Sequence, residues 1–244
     1  RTGQTVNSAD QVTIRPTAYD FKKELVDPST IRVKVPFSKD GYRFSVEFEP
    51  QLMTSYNDGF DVSGRLTTQQ EGNWAIHTEP QNSMLIFAEP MPTGKAADAT
   101  IPSEKTKKML KVEPGRIPNL DDTDAEVLYF GPGTYFMTGQ YHAVLPEQVR
   151  WVYLAPGAYV KGAFRFFHDT QKAYKVTGHG VLSEEQYVYE ADTNNNYEHL
   201  SGMSNCHESC VKMLQFASSD KQQHLDLQGI TVAEPPYHSF VVYG

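Results

Sequence analysis

The chain has 244 residues, enough for one large domain or two modest ones. A hydrophobic content of 39% with 12% aromatic residues supports a packed core and argues against disorder. The formal net charge of -8, without any cluster of lysines and arginines, argues against a nucleic-acid-binding surface. No apolar run approaches the roughly 18 residues that a membrane helix needs.

The ends of the chain lead us to expect a segment of a longer protein. The chain starts at Arg1, without an initiator methionine or a signal peptide, and stops at Gly244 directly after an apolar strand. A stack of strands that ended there would leave its last strands and its core uncovered. Because targeting signals lie at the ends of proteins, their absence here carries no information about location.

Residues 1–92 are expected to form an incomplete β-sandwich. Several short segments alternate apolar and polar side chains, as half-buried strands do, and the last of them is wholly apolar. These segments are residues 12–16, 31–36, 42–48 and 84–88. Asp40 and Gly41 supply a turn between two of them. Short strands with regular turns are typical of a sandwich, and the missing start would leave it incomplete.

Residues 93–124 have the composition of a linker. Prolines, lysines and the pair Asp121-Asp122 replace the alternating apolar pattern. The mixed charges indicate a solvated surface, and we expect at most one short helical turn, near residues 105–110.

Residues 125–244 contain an internal repeat. Residues 128–136 and 152–160, which lie 24 residues apart, each have the pattern of an apolar strand, a Pro-Gly turn and a second apolar strand. A weaker third copy, one residue out of step, follows at residues 176–182. A fixed period of this kind indicates stacked units that bury their apolar faces against one another. We therefore predict a solenoid of parallel strands, an architecture that often binds or cuts long polymers.

The loop at residues 178–190 is the first candidate site. It places several glutamates and the aromatic rings of Tyr187 and Tyr189 at the exit from a strand. Carbohydrate sites use polar groups for hydroxyls and aromatic faces for the apolar sides of sugar rings. The alternative is structural: the tyrosines stack into a coil while the glutamates face water.

The turn at residues 235–240 is the second candidate site. An alternating strand at residues 225–232 is followed by two prolines, after which Tyr237 and His238 are presented. A histidine here can bind substrate or change its charge near neutral pH. It can equally be a turn residue whose hydrogen bonds are satisfied locally, and the spacing does not choose between the two.

The sequence shows no catalytic constellation, cofactor motif or metal site. Glu184 and Glu185 are adjacent, so on a strand they would point to opposite faces, which is poor geometry for acid–base catalysis. Glycine motifs for phosphates or dinucleotides do not occur, so no cofactor is expected. Cys206, His207 and Cys210 are too few ligands for a metal site. A local disulfide between the cysteines is conceivable, but we favour two ordinary, semi-buried thiols.

In several of the strands and loops described above, the chain resembles glycoside hydrolase family 49, the dextranases and isopullulanase. The resemblance covers most of the chain from about Val12 onward and is most specific where the second repeat copy lies. The matching segments are residues 41–48, 85–88, 151–163, 178–183 and 185–189.

The resemblance implies an all-β fold: an N-terminal β-sandwich followed by a right-handed parallel β-helix, of which this chain holds the first coils. It also implies endo-hydrolysis of α-1,6 links in dextran with inversion at the anomeric carbon. That reaction needs a general acid and a carboxylate that activates water. In the family these are aspartates in Thr-Asp-Gly and Asn-Asp-Asp motifs. Neither motif occurs in this sequence, so no catalytic residue is assigned, and we expect those aspartates beyond Gly244.

Two positions depart from the family pattern. Glu184 stands where the family has glycine, and a glutamate would strain the turn by roughly 1 kcal/mol if that backbone has positive φ. The alternative is a rearranged loop. His238 stands where the family tends to have asparagine.

We therefore predict a segment of a secreted, extracellular and monomeric dextranase that acts on dextran without nucleic acid, membrane, cofactor or metal. Glu185, Tyr187, Tyr189 and His238 are the predicted substrate-binding residues near the glucan cleft. The segment alone is expected to be inactive. The alternatives are a β-helical hydrolase of another polysaccharide, such as pullulan or a pectic chain, and a non-catalytic carbohydrate-binding β-helix.

Overall fold

The computed structural model describes residues 5–48, 83–103, 105, 108–117, 119–138, 142–166, 173–199, 206–217 and 224–243. The chain divides into two compact units, Arg1–Met91 and Pro92–Gly244. Both consist mainly of β-strands, which pair antiparallel in the first unit and parallel in the second. Within the described residues, no helix is both long enough and apolar enough to cross a membrane.

The first unit contains two antiparallel sheets. Strand β4 lies between β1 and β5, and β2 pairs with β3 as a hairpin. The strands predicted near residues 12, 31, 42 and 84 are confirmed, whereas β2 escaped notice because its charged residues and largely exposed side chains hide any alternation. The strands are Val12–Arg15 (β1), Lys22–Asp27 (β2), Thr30–Lys34 (β3), Tyr42–Phe48 (β4) and Ser83–Ala88 (β5).

The core of the first unit forms on one face of its three-stranded sheet. Val12 and Ile14 on β1 are buried against Phe44 and Val46 on β4, as the period-2 alternation predicts. Glu47 is also buried, at 3% exposure, and accepts a hydrogen bond of 2.8 Å from Arg15 Nε across the strand pair. The buried carboxylate is therefore paired, as burial of a charge requires.

The second unit opens with a short helix, Lys95–Thr100 (α1), after which short strands follow one another along the chain. The first are Met109–Val112 (β6), Gly115–Ile117 (β7), Val127–Phe130 (β8), Gly133–Met137 (β9), His142–Leu145 (β10), Trp151–Leu154 (β11) and Ala158–Lys161 (β12). The remainder are Ala163–Phe166 (β13), Ala173–Gly178 (β14), Val181–Ser183 (β15), Lys212–Ala217 (β16), His224–Gln228 (β17), Thr231–Ala233 (β18) and His238–Tyr243 (β19).

These strands form three parallel sheets that the chain visits in turn. Sheet A has the order β17-β14-β11-β8-β6, sheet B the order β18-β15-β12-β9-β7, and sheet C the order β10-β13-β16-β19. The two clear repeat copies lie side by side: Leu154 pairs with Phe130 in sheet A, and Val160 pairs with Tyr135 in sheet B. The predicted parallel stacking of the repeats is confirmed.

The third copy stacks as expected but has a shorter turn. Gly178 pairs with Leu154, an offset of 24 residues, whereas Val181 pairs with Tyr159, an offset of 22. The turn between the two strands has therefore lost two residues, which explains why the copy is out of step in sequence.

The structure differs from the linker prediction for residues 93–124. This stretch contains α1 and the strands β6 and β7, which pair with β8 and β9 as a further repeat copy. Its turn is again Pro-Gly, and a Cβ on Gly133 would lie 2.8 Å from Pro114 Cγ, so consecutive turns stack directly. The sequence analysis missed this copy because β6 and β7, at the end of the stack, carry polar side chains on their outward faces. Their composition therefore looks like that of a linker.

The space between the three sheets is filled with apolar side chains. The inward residues of successive coils stack on one another; Phe166 and Phe216, for example, lie 4.8 Å apart with nearly parallel rings. Phe130 and Phe164 are fully buried in the same core. No single coil could bury these rings, so each depends on its neighbours.

Among the connections that leave the same edge of sheet B and enter sheet C, two carry the sequence-predicted loops. Residues 184–211 join β15 to β16, and residues 234–237 join β18 to β19. Because β15 pairs with β18, and β16 with β19, both connections start and end next to each other. We call this edge the B–C corner; both sequence-predicted loops lie on it.

Candidate site at the B–C corner

The two predicted loops are joined by backbone hydrogen bonds at the B–C corner. The Glu184 N–H donates to the Ala233 carbonyl at 3.3 Å, and the Glu190 N–H donates to the Pro236 carbonyl at 2.9 Å. Residues that are about 50 positions apart in sequence thus form one surface. The four predicted binding residues nevertheless have different surroundings on it.

Glu185 lies towards the outer face of sheet B and is held by two side chains. It forms an ion pair with Lys161 and accepts a hydrogen bond of 2.6 Å from the Tyr159 hydroxyl. The hydrogen bond from Lys161, and then that from Tyr159, lowers the pKa of the Glu185 carboxyl. Glu185 is therefore an ionised hydrogen-bond acceptor that is held in place beside an aromatic ring. Such an acceptor suits the binding of a sugar hydroxyl.

Tyr187 is half-buried and packs onto the protein. Its ring lies 5.8 Å from that of Tyr197, and both pack against a small cluster of Ala163, Ala191 and Val211. The contacts of Tyr187 agree with the structural alternative, in which the tyrosines of this loop pack onto a coil. The ring helps to hold the 184–211 connection on the outer face of sheet C.

Tyr189 and His238 are exposed on the corner. Tyr189 is 69% exposed, and its ring lies 6.3 Å from that of His199. The exposed His238 lies against Tyr237, with 3.9 Å between ring centroids and the rings tilted by 43°. Rings that present a face to solvent beside polar groups suit the alternating apolar and hydroxyl surfaces of a sugar.

Glu184 is the residue whose placement the sequence analysis did not anticipate. It is 1% exposed, and neither of its carboxyl oxygens has a hydrogen-bond partner among the described residues. Burial raises the pKa of this carboxyl to about 9, so the group is neutral at pH 7. The expectation that the glutamates of this loop face water is wrong for Glu184, whose carboxyl is enclosed while that of its neighbour is not.

The predicted backbone strain at Glu184 is also absent. Glu184 does not have positive φ; the left-handed conformation falls instead at Glu190 (φ 52°) and Glu234 (φ 51°). A glutamate is compatible with the backbone at position 184, and the loop adopts its sharp turn further along. Glu184 is buried while Glu185 pairs with Lys161, so the two carboxyl groups have different surroundings.

The cysteines form a disulfide, so the preference for two free thiols was wrong. Cys206 and Cys210 are bonded and close a turn that contains His207–Ser209. The Lys212 ammonium lies beneath this turn and donates to the carbonyls of His207, Glu208 and Cys210 at 2.9, 2.6 and 2.9 Å. Across the described ranges, no group of three or more His, Cys, Asp or Glu side chains is arranged to hold a metal ion.

Three polar residues of the corner were not among the predicted binding residues. Glu190 lies at the end of the first candidate loop, His199 carried no motif, and the two become neighbours where the connection turns back between residues 190 and 199. His142, at the edge of sheet C, lies 3.2 Å from the Tyr197 hydroxyl through Nδ1. Burial, followed by the charge of Arg165, lowers the pKa of His142 to about 4, so this histidine is neutral near pH 7.

Comparison with known proteins agrees with this architecture. The model of the glycosyl hydrolase family 49 N-terminal Ig-like domain matches residues 1–91. The chain is 67% identical, over all 244 residues, to dextranases of Arthrobacter globiformis and Arthrobacter sp. (strain CB-8). It is 37% identical over 239 residues, 98% of its length, to isopullulanase of Aspergillus niger. The family model and these relatives together support membership of glycoside hydrolase family 49.

A solved structure supports the fold of the whole chain. Dex49A from Penicillium minioluteum matches 100% of this chain with a TM-score of 0.76 at 31% identity. The match spans 42% of that structure, and the chain spans 38% of each of the two Arthrobacter dextranases and 37% of the isopullulanase. It therefore corresponds to less than half of each of these relatives.

Proposed function

We propose that the complete protein containing this chain is an endo-dextranase. It hydrolyses α-1,6-glucosidic links in dextran with inversion, by means of a general acid and a carboxylate that activates water. The observation that carries the proposal is 67% identity along the entire chain to two dextranases. The catalytic aspartates belong to the part of such a protein outside these 244 residues.

The B–C corner contributes substrate-binding residues to this enzyme. Tyr189 and His238 offer exposed rings, and Glu185 offers an ionised acceptor held in place by Lys161 and Tyr159. Tyr187 supports the same surface through its contact with Tyr197. Long polymers suit such a site because the coils stack along one direction and repeat their surface groups along it.

The fold assigned to this enzyme is a β-sandwich followed by a right-handed parallel β-helix. The antiparallel strands of the first unit and the Ig-like family match support the sandwich. The three parallel sheets of the second unit support the β-helix, because four successive coils pass through sheets A, B and C in the same order, after a first coil that contributes β6 and β7 to sheets A and B. The right-handed sense follows the general rule for parallel crossovers.

We also propose that the protein is secreted and acts outside the cell as a monomer. The Cys206–Cys210 disulfide supports this location, since disulfides form and persist in oxidising compartments. A polymer such as dextran is too large to reach an intracellular enzyme without prior cleavage.

The test is hydrolysis of dextran by the complete protein. We expect release of reducing sugar, with the first product in the anomeric configuration opposite to that of the substrate when followed by NMR. Products of retained configuration, or no release at all, would contradict the proposal.

A second candidate function is hydrolysis of pullulan, favoured by the 37% identity to isopullulanase. The same assay with pullulan, a pectic polymer and dextran in parallel separates the two. Faster release from pullulan than from dextran would replace the first proposal with the second.

A further inference from the structure

Glu190 combines two unfavourable features at the centre of the B–C corner. Its backbone is left-handed, with φ of 52°, and its side chain is 7% exposed. A left-handed conformation is unfavourable for a residue other than glycine, and a buried carboxylate needs polar partners. An unfavourable backbone conformation that the surrounding structure maintains is a reason to look for a function of the residue.

The partners of Glu190 on its own loop are two exposed rings. Its carboxylate faces the Tyr189 hydroxyl and raises the pKa of that tyrosine through hydrogen bonding and its negative charge. Its Oε2 lies 3.6 Å from Nδ1 of His199, an ion pair when the imidazole is protonated. His199 is 40% exposed and Tyr189 69% exposed, so a buried group fixes two side chains that face solvent.

Glu190 also fastens the second loop. Its N–H donates to the Pro236 carbonyl at 2.9 Å, directly before the adjacent rings of Tyr237 and His238. The four rings thus belong to one surface, and Glu190 is the group bonded to both halves of it.

We propose that Glu190 is a positioning residue that holds Tyr189 and His199 beside Tyr237 and His238 as a binding surface for the pyranose rings of the glucan. The inference rests on the proposed function and adds Glu190, His199 and Tyr237 to the residues expected from sequence. Aromatic faces bind the apolar sides of sugars, and they do so more tightly when fixed in advance.

A purely structural role would make a different prediction. If Glu190 only fastens the loops together, its replacement lowers the melting temperature and leaves the KM of the folded enzyme unchanged. If it positions binding groups, the KM for dextran rises while kcat changes little, because uniform binding is lost.

The test compares Glu190→Leu with Glu190→Gln in the complete protein. Both keep the backbone N–H that bonds Pro236, but only glutamine retains an oxygen that can accept from the Tyr189 hydroxyl. We expect Glu190→Leu to raise the KM for dextran roughly fivefold with kcat within about twofold, and Glu190→Gln to recover part of the loss. Glu198→Leu, an exposed change on the same connection, is the matched control and should leave KM unaltered.

Tyr189→Ala is a second variant that we expect to fold like the parent, because the ring that it removes is 69% exposed. It should raise KM similarly, and adding Glu190→Leu to it should raise KM by less than Glu190→Leu does alone. A KM within twofold of the parent enzyme for Glu190→Leu, or full additivity with Tyr189→Ala, would overturn the inference. Failure of the parent enzyme to hydrolyse dextran would instead refute the proposed function, and the inference with it.

Discussion

Glu184 and Glu185 are neighbours in sequence with opposite electrostatic surroundings. Glu185 is fixed as an anion by Lys161 and Tyr159, whereas Glu184 is enclosed without a partner among the described residues. The two residues follow directly after β15, where the chain turns, and the packing around each side chain determines its charge state. The two positions therefore give opposite dependences of stability on pH.

Glu184→Gln is expected to stabilise the protein increasingly as the pH rises. Between about pH 4.5 and 9 the folded state keeps a proton on Glu184 that the unfolded state releases, so the unfolding free energy falls with pH. At about 1.4 kcal/mol per pH unit, the variant should match the parent near pH 5 and exceed it by about 3 kcal/mol at pH 7. Urea denaturation at both pH values measures the difference.

Glu185→Gln is the matched control at the adjacent position. The lowered pKa of Glu185 means that its contribution is present above the unfolded-state pKa and is lost as the pH falls through the folded-state pKa. This variant should therefore be less stable than the parent at pH 7 and approach it in acid. A Glu184→Gln difference that is the same at pH 5 and pH 7 would show that the buried carboxyl does not titrate as described.

Gly178→Ala is expected to destabilise the second unit severely. Gly178 has φ of 129°, and an added Cβ would lie 1.9 Å from the Leu154 carbonyl oxygen in the neighbouring coil, which is backbone and cannot turn away. We expect a loss of about 3 kcal/mol or more, measured by thermal or urea unfolding. Gly115→Ala is the control: φ is 109° but no heavy atom lies within 4 Å, so only the backbone cost of about 1 kcal/mol should appear. Equal losses at the two positions would disprove the steric argument.

At the scale of elements, the 184–211 connection is held in place by contacts that follow no periodic sequence pattern. The disulfide closes one turn, Lys212 bonds three carbonyls of that turn, and Tyr187 and Tyr197 pack it onto sheet C. Burial lowers the pKa of Lys212, and the adjacent positive charge of Arg165 lowers it further. The carbonyl oxygens are what make a buried ammonium tolerable there.

Lys212→Met is expected to loosen this connection. Methionine matches the length of the lysine side chain but cannot donate to the carbonyls of His207, Glu208 and Cys210, so we expect a loss of about 2 kcal/mol in unfolding free energy. Faster amide hydrogen exchange should be confined to the turn around the disulfide. Lys22→Met, at an exposed position on β2, should change neither quantity. Unchanged exchange in Lys212→Met would mean that the disulfide alone holds the turn.

At the scale of the molecule, the second unit is a stack of coils, and we propose that binding and catalytic groups lie on different coils. The proposed binding groups lie on the B–C corner, while the Thr-Asp-Gly and Asn-Asp-Asp motifs expected of the catalytic coils do not occur in the sequence. We predict that residues 1–244 alone release no reducing sugar from dextran, whereas the complete protein does. Isothermal titration with an isomalto-oligosaccharide would show whether the segment still binds glucan. Measurable hydrolysis by the segment would show that its own carboxylates are sufficient.

The strands and turns were predictable because their causes are local. Alternation at residues 42–48 and the Pro-Gly turns after β8 and β11 depend on backbone preferences and on which face of a strand is buried. The loops of the B–C corner were likewise recognisable from their glutamates and tyrosines. The first coil was missed because its strands, Met109–Val112 and Gly115–Ile117, lie at the end of the stack. A coil there packs against only one neighbouring coil, so polar residues are tolerated on its strands.

The sequence by itself determined a β-rich chain with stacked repeats, the place of the two loops and the family that the chain resembles. Only the tertiary structure decided that Glu184 is buried while Glu185 is ionised, that Tyr187 packs while Tyr189 is exposed, and that Glu190 joins both loops. The physical reason is that strand patterns arise from neighbours in sequence, whereas burial, pKa and ring contacts arise from residues brought together by the stacking of coils.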